Sequence, residues 1–206
     1  MTMNNYNKMP WLYKTGKAIL GPIFKGYYRP IIIGKENIPE KGNAIIAGDH
    51  IHLYDQCHVI VSTKRPIFYM AKKEYFDSKK TKWFFKGVGC IPVNRSIKDT
   101  DATEAALEHL NKGGAIGLFP EGTRNKTDKF LLDFKFGTVS MASKTGATII
   151  PFGITGDYKF RSKNLTIRYG KPFKIGKMTL EEANTKLYNE VKKLMEENLK
   201  EEKNKK

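Results

Sequence analysis

Short apolar runs alternate with polar segments along most of the chain, and this alternation predicts its secondary structure. Runs of five or six residues rich in aliphatic and β-branched side chains predict five strands, at 43–48, 66–71, 89–93, 115–119 and 148–152. A further strand is predicted at 165–169, at an edge of the sheet. Apolar positions at helical spacing predict helices between the strands, at 55–61, 78–86, 101–112 and 137–144.

The last predicted element is an amphipathic helix that packs on the domain. Thr179 and Glu182 have the spacing of a capping box, and an apolar stripe of helical period follows from 180 to 195. Asp101 and Glu104 have the same spacing, so Asp101 is predicted to cap the helix that Gly113 ends. Strands that alternate with helices, without a long linker, indicate one α/β domain with a central, mostly parallel or mixed sheet flanked by helices.

The segment 10–28 combines aromatic and aliphatic side chains with lysines at near-helical spacing. Gly21-Pro22 interrupts the pattern and predicts two short helices with a break between them. Such an amphipathic segment suits the interface of a membrane, with its rings at the acyl boundary and its ammonium groups on lipid phosphates. A helix packed on the protein core is an equally good interpretation. The membrane interpretation divides the chain into a membrane-associating segment, 1–28, and a main domain, 29–206.

Composition adds a strong positive charge to this picture. The 206 residues hold 37 Lys and Arg against 21 Asp and Glu, a formal charge of +16, which attracts nucleic acid, anionic membranes or acidic carriers. The two cysteines, Cys57 and Cys90, make no disulfide framework and fit a reducing compartment. Neither a signal peptide nor an apolar stretch of the roughly 20 residues that a spanning helix needs is found. The chain is expected to lie on a bilayer rather than to cross it.

The first candidate for catalysis is a histidine followed by a carboxylate five positions later, His50 and Asp55. His50 follows the first predicted strand and Asp55 begins the next helix, so a turn can bring the two side chains together. An ordinary imidazole titrates near pH ~6.5, and a carboxylate on its second nitrogen fixes the tautomer and stabilises the imidazolium. The pair is a candidate base that activates a substrate hydroxyl without a protein nucleophile, although this spacing also occurs by chance.

Charged residues follow the other predicted strands as well. Lys72 follows the second strand, Arg95 the third, and Glu121 and Arg124 the fourth. Ligands of open α/β sheets gather beyond the carboxyl ends of the strands. Because Arg and Lys suit phosphate, the sequence predicts an anion pocket beside the candidate base.

A metal site is an alternative for the same turn, since His52 lies between the candidate base and Asp55. In the metallo-hydrolase pattern His-x-His-x-Asp-His, the acid would stand at Tyr54 and a histidine at Asp55, so the spacing does not match. The other histidines, His58 and His109, fall in predicted helices, and His109 is predicted to lie at the surface. No metal is predicted. Positions within predicted elements likewise favour packing over acyl transfer for the two cysteines.

Two further functions remain as alternatives to catalysis. A nucleic-acid-binding module would explain the charge, but the basic residues are dispersed and form no recognisable reader motif, so no nucleic acid is expected as a partner. A catalytically inactive lipid-binding scaffold would also explain the charge and the apolar segment. Its fold and membrane binding would be unaffected by loss of His50.

The motifs together resemble the glycerolipid acyltransferase family, in particular its 1-acylglycerol-3-phosphate acyltransferases. The family's His-x-x-x-x-Asp resembles 50–55, its strand ending in Arg resembles 89–95, and its Phe-Pro-Glu-Gly-Thr-Arg is identical to 119–124. A fourth block, an apolar strand with Pro, resembles 149–152, and Met70-Ala71-Lys72 resembles the family's Ala-Lys segment. The motifs occur in the family's order and extend roughly from residue 45 to 156.

The resemblance implies a glycerol-3-phosphate acyltransferase-like fold and a mechanism. His50, oriented by Asp55, would deprotonate the free hydroxyl of lysophosphatidic acid, which then attacks an acyl thioester of coenzyme A or acyl carrier protein and becomes phosphatidic acid. No cofactor is implied beyond that acyl donor. The cations would hold the phosphate, and Glu121 and Gly122 would position the glycerol. The substrate-binding residues implied in this way are Lys72, Arg95, Glu121, Gly122, Thr123 and Arg124.

Two points stay open within the resemblance, and one expectation about location follows from it. The family often has Asn before the histidine where this chain has Asp49, and an acid facing the base would change the pH optimum. Glycerol 3-phosphate or another lysophospholipid is the alternative acceptor. A peripheral position at the cytoplasmic face of an anionic membrane is expected, because the substrate and the product are both lipids.

Overall fold

The computed structural model describes residues 9–94, 97 and 99–204 and has a seven-stranded sheet at its centre. The strands run in the spatial order β1-β7-β6-β2-β5-β3-β4. Strands β6 and β7 are antiparallel, and every other pair of neighbours in this sheet is parallel. The predicted mixed α/β sheet is confirmed. The strands are β1 Ile31–Ile33, β2 Ala44–Gly48, β3 Phe68–Lys72, β4 Ile91–Val93, β5 Ala115–Leu118, β6 Thr148–Thr155 and β7 Thr166–Tyr169.

Helices cover both faces of this sheet. They are α1 Trp11–Tyr28, α2 Asp55–Ser62, α3 Glu74–Asp77, α4 Lys82–Gly87, α5 Thr100–Asn111, α6 Gly137–Thr145 and α7 Leu180–Lys203. A short 3-10 turn, Lys35–Asn37, follows β1. The predicted capping box of the last helix is present, with Thr179 and Glu182 bonding each other's backbone.

The core has two layers because successive strand residues point to opposite faces of the sheet. Ile45 and Ile149 face a cluster that includes residues of α5, α6 and α7. Ile46 and Ile150 face a second cluster, which includes Val59 of α2. A sheet covered on both faces leaves its strand ends as the accessible places. The carboxyl ends of β2, β5, β3 and β4 lie at one edge, since these strands are parallel.

The predicted break in the N-terminal segment is wrong, because α1 runs continuously with Pro22 inside it. The packing of α1 on the domain outweighs the loss of the helical hydrogen bond that Pro22 cannot donate. Tyr13 is buried, and its hydroxyl accepts a hydrogen bond from the Ile67 N–H at 3.1 Å. Gly21 is also buried, and it lies against Val61 of α2. The helix is thus part of the folded domain and also carries exposed apolar residues, namely Trp11, Ile19, Leu20, Ile23 and Tyr27.

Four local expectations need correction. Strand β7 is not at the edge, because the three-residue β1, too short for a periodic signal, pairs beyond it. Asp99 rather than Asp101 caps α5, accepting from the Ala102 N–H. The helix predicted at 78–86 is the shorter α4, preceded by α3. His109 is buried against Phe68 rather than exposed.

Among the described helices, none combines the length and the apolar character that crossing a bilayer requires.

Candidate active site

His50 and Asp55 form a hydrogen-bonded pair at the carboxyl end of β2. The strand ends at Gly48, α2 begins at Asp55, and the connecting turn brings His50 Nδ1 to 2.8 Å from Asp55 Oδ2. The backbone N–H groups of Ile51 and His52 donate to the same oxygen at 2.8 and 2.7 Å. An ionised carboxylate accepts all three bonds, which assigns the proton of the ring to Nδ1 and leaves the lone pair on Nε2.

The other oxygen of Asp55 is held from a distant part of the chain. Tyr158, in the loop after β6, donates its phenolic proton to Asp55 Oδ1 at 2.7 Å. Its ring stacks on His52 with centroids 4.3 Å apart. Burial, and then the Asp55 charge, raise the pKa of Tyr158 far above its usual range, so the phenol stays a donor. The buried carboxylate is therefore fixed by four donors.

Phe119 packs against the imidazole ring of His50. The two rings stack with centroids 3.9 Å apart and an interplanar angle of 13°. The His50 side chain keeps 17% of its surface exposed, whereas Asp55 is fully buried. With Nδ1 engaged by the carboxylate, Nε2 is the nitrogen that can take a proton from a substrate.

Glu121 ties the loop after β5 to the catalytic turn. One carboxylate oxygen accepts from the His50 N–H at 2.7 Å, and the other accepts from the Leu132 N–H at 3.0 Å. The Asn125 N–H donates to the His50 carbonyl at 2.7 Å. Burial raises the pKa of Glu121, and the two backbone bonds oppose that rise. Its observed contacts position the His50 backbone, and its predicted contact with glycerol stays a prediction.

Gly122 makes the turn of that loop possible. Its N–H donates to the Phe119 carbonyl, and its φ of +72° is a conformation that favours glycine. A Cβ at this position would lie 2.9 Å from Lys135 Nζ. The ammonium group of Lys135 is therefore beside the turn, which adds a cation that the sequence pattern did not single out.

The described cationic residues of the predicted anion pocket lie at the same edge of the sheet as His50, the edge formed by the carboxyl ends of the parallel strands. Lys72 ends β3 and is exposed, and Thr123 and Arg124 are exposed in the loop that bonds the His50 backbone. Arg95 lies outside the described residues. Strand β4, which precedes it, ends beside Lys72 through the Lys72–Val93 pairing.

Asp49 faces β6. It is buried, its Oδ1 accepts from the Ile154 N–H at 2.8 Å, and its Oδ2 is buried with no hydrogen-bond partner among the described residues. Burial, reinforced by the nearby acids, raises the pKa of Asp49 well above its usual range. Burial thus favours the neutral form of Asp49 more than water favours that of an exposed aspartate.

Other chemistry receives no support from the described residues. No group of three His, Cys, Asp or Glu there is arranged to hold a metal ion. Burial raises the pKa of Cys57 to about 11 and that of Cys90 to about 12, so both thiols stay protonated and are poor nucleophiles.

The sequence pattern missed Tyr158, Phe119 and Lys135 as parts of this site. Tyr158 follows β6 by three residues, so the preference of functional residues for the carboxyl ends of strands could have identified it. Phe119 opens the motif 119–124, but the motif did not predict its stacking on His50, and Lys135 carries no signal, because both contacts depend on loop geometry.

Comparison with known proteins gives a consistent result. The family model described as Acyltransferase matches residues 29–155. A 1-acyl-sn-glycerol-3-phosphate acyltransferase of Borreliella burgdorferi is 37% identical over 142 residues, which cover 68% of this chain and 56% of that protein. The corresponding protein of Bacillus subtilis is 29% identical, with 68% and 72% covered. The match thus spans little more than half the length of the first of these relatives.

A solved structure is similar over a larger part of the chain. The 1-acyl-sn-glycerophosphate acyltransferase PlsC of Thermotoga maritima superposes with a TM-score of 0.70 at 25% identity. The superposition covers 93% of this chain and 84% of that one.

Proposed function

The chain belongs to the Acyltransferase family, and from this membership we propose that it transfers a fatty acyl group from an acyl thioester to the free hydroxyl of 1-acylglycerol 3-phosphate. The product is phosphatidic acid. The observation that carries the proposal is the His50–Asp55 pair, with a partly exposed imidazole, at the same edge of the sheet as Lys72 and Arg124.

The proposed reaction needs no covalent enzyme intermediate. His50 Nε2 takes the proton of the substrate hydroxyl as its oxygen attacks the thioester carbonyl. The new ester bond forms, the C–S bond breaks, and the leaving thiolate receives the proton from the imidazolium. Asp55 stabilises that imidazolium and holds the ring in the productive tautomer. A base of this kind contributes about 10²–10⁴ in rate.

The phosphate of the acceptor is proposed to bind to the cations at this edge. Lys72 and Arg124 are exposed there, Arg95 follows β4, and Lys135 lies beside Gly122. A guanidinium binds two phosphate oxygens at once, while an ammonium group acts as a point charge. Anchoring the phosphate would present the glycerol hydroxyl to the imidazole. Gly122 and Thr123 border this path and would contact the glycerol.

The acyl donor is proposed to be acyl-CoA or acyl carrier protein, and no further cofactor is required. Both donors are acidic, and the formal charge of +16 favours their approach. The donor thioester supplies the leaving group.

The enzyme is proposed to work as a peripheral protein on the cytoplasmic face of an anionic membrane. Its substrate and product both partition into lipid, so the site must open at a bilayer. The exposed face of α1 carries Ile19, Leu20 and Ile23. Its last residue, Tyr28, packs 5.6 Å from Tyr158 beside the catalytic pair. A docked α1 would hold the site close to its substrate.

A purified-protein assay tests the proposed function. Acyl-CoA and acyl carrier protein thioesters are each crossed with 1-acylglycerol 3-phosphate, glycerol 3-phosphate and other lysophospholipids, and the products are identified by mass spectrometry. Phosphatidic acid formed by the wild type and lost in His50→Ala supports the proposal. Product from another acceptor alone, or equal product from His50→Ala, refutes it.

A further inference from the structure

A second surface near the site carries exposed aromatic rings among lysines. It is the segment 72–87, which includes α3 and α4 and directly follows the carboxyl end of β3. Six of its residues are lysines against two acids, and all six lysines are exposed. The lysines are Lys72, Lys73, Lys79, Lys80, Lys82 and Lys86.

The aromatic residues of segment 72–87 divide into an inner and an outer set. Phe76 is buried, and Phe85 packs against it with ring centroids 5.8 Å apart. Trp83 and Phe84 instead leave 63% and 43% of their surface exposed. The inner rings anchor α3 and α4 to each other, so the outer rings are displayed on a folded support rather than on a loose loop.

The polar atom of Trp83 is already paired. Its indole N–H donates to the Lys80 carbonyl at 3.0 Å. Moving this ring from water to the acyl boundary of a bilayer would therefore leave no new unpaired donor, which removes the usual cost of burying an indole.

Segment 72–87 packs directly against α1. Gly87 packs so closely on Leu12 that a Cβ there would meet the Leu12 side chain at 2.6 Å. Trp11, the neighbour of Leu12 and the first residue of α1, is exposed. The two exposed indoles thus belong to helices in direct contact.

We propose that segment 72–87 is a second lipid-contacting surface, which lies on an anionic bilayer with Trp83 and Phe84 at the acyl boundary and its lysines other than Lys72 on headgroup phosphates. The proposal rests on the proposed membrane-associated function and adds a contact separate from α1. Charge alone would also suit an acidic protein such as a carrier. The exposed rings, and the packing of α4 against α1 through Gly87 and Leu12, favour a lipid surface.

The two tryptophans of the chain allow each surface to be tested alone. Trp11→Phe leaves Trp83 as the only indole, and Trp83→Phe leaves Trp11. Each variant is mixed with vesicles of phosphatidylglycerol and phosphatidylcholine, or of phosphatidylcholine alone. We expect Trp83 emission to shift to the blue and to become shielded from iodide with the anionic vesicles. A response of Trp11 without one of Trp83 overturns this proposal while docking through α1 stands. No response of either indole refutes both.

A charge exchange separates a lipid surface from an acidic protein. Lys79→Glu/Lys80→Glu is expected to weaken partitioning to the anionic vesicles by roughly tenfold or more. The matched control is Lys171→Glu/Lys174→Glu, which changes the charge equally at exposed positions near the amino end of β6, the opposite edge of the sheet. Equal loss in the two variants shows a net-charge effect and overturns the proposal. Unchanged vesicle binding together with weaker binding of acyl carrier protein assigns the surface to a protein partner instead.

Discussion

Tyr158 and Asp55, 103 positions apart in the sequence, share a hydrogen bond of 2.7 Å directly behind the imidazole of His50. The carboxylate receives the phenol on one oxygen and the imidazole on the other. Each donor neutralises part of the same negative charge. The strength with which Asp55 holds a proton on His50 therefore depends on Tyr158, a residue that does not touch the substrate side of the ring.

Replacing Tyr158 by Phe removes this donor and keeps the ring that stacks on His52. The carboxylate then presents more charge to His50 and stabilises the imidazolium more. We expect the acid limb of the profile of kcat/KM against pH to move to higher pH by about half a unit or more. Below neutral pH, kcat/KM should fall several-fold.

Tyr28→Phe is the matched control, since its ring packs on Tyr158 and the hydroxyl it loses makes no bond to Asp55. Its profile should follow that of the wild type. A Tyr158→Phe profile that is lower at every pH without a shift would instead indicate a purely structural role.

Asp55→Asn is expected to move the same limb in the opposite direction. The amide can keep the contacts with His50 and Tyr158, but it lacks the charge that favours the imidazolium. The acid limb should move to lower pH, and kcat should fall by about 10²–10⁴. The assay is the rate of acyl transfer from pH 5 to 9, with circular dichroism as a check on folding. A variant that retains more than about a tenth of the wild-type kcat would contradict the assigned role of the carboxylate.

Local signals predict the contact between His50 and Asp55 well and the surroundings of this pair poorly. A strand that ends before His50 and a helix that begins at Asp55 fix their approach within six residues. The contact between Tyr158 and Asp55 depends on how β6 and β2 pair, which no local pattern specifies. The same holds for β1, whose three residues pair with a strand more than 130 positions away. Pro22 shows the converse case, in which packing of α1 overrides a local break signal.

Asp49→Asn is expected to alter the pH dependence of stability. Burial raises the pKa of Asp49 in the folded state. The wild type therefore loses stability as the pH rises from the ordinary aspartate value, ~3.9, through the raised one. Asparagine has no such titration and can still accept the Ile154 N–H. The free energy of unfolding of the variant, measured in urea titrations, should therefore gain on that of the wild type as the pH rises from about 4 to 8. A constant difference would show that Asp49 has an ordinary pKa.

His58→Leu is expected to reduce sensitivity to acid. Both ring nitrogens of His58 are buried without a hydrogen-bond partner among the described residues, and burial lowers its pKa to about 4. The unfolded chain binds a proton near pH ~6.5, so the wild type loses stability as the pH falls from there towards 4. This loss amounts to about 2 kcal/mol between pH 6.5 and pH 5. His58→Leu should lack this loss of stability, as measured by urea unfolding at pH 6.5 and pH 5. Parallel declines in the two proteins would contradict the neutral state of His58.

The role of α1 is best tested on its exposed face, because deleting the helix would also remove buried Tyr13 and the contact between Tyr28 and Tyr158. Ile19 and Ile23 are 62% and 59% exposed, so changing both to Ser should alter the free energy of unfolding by less than about 1 kcal/mol. If these side chains enter the bilayer, vesicle binding should weaken by about 10²-fold or more, since each buried aliphatic side chain contributes roughly 1.5–3 kcal/mol.

Two substrates separate docking through α1 from catalysis. Activity on long-chain lysophosphatidic acid in vesicles should fall together with vesicle binding in Ile19→Ser/Ile23→Ser. Activity on a short-chain, monomeric lysophosphatidic acid should stay at the wild-type level, because Ile19 and Ile23 belong neither to the His50–Asp55 pair nor to the cations beside it. Equal losses on both substrates would place the effect in the catalytic site. Unchanged vesicle binding would remove this face of α1 from the membrane contact.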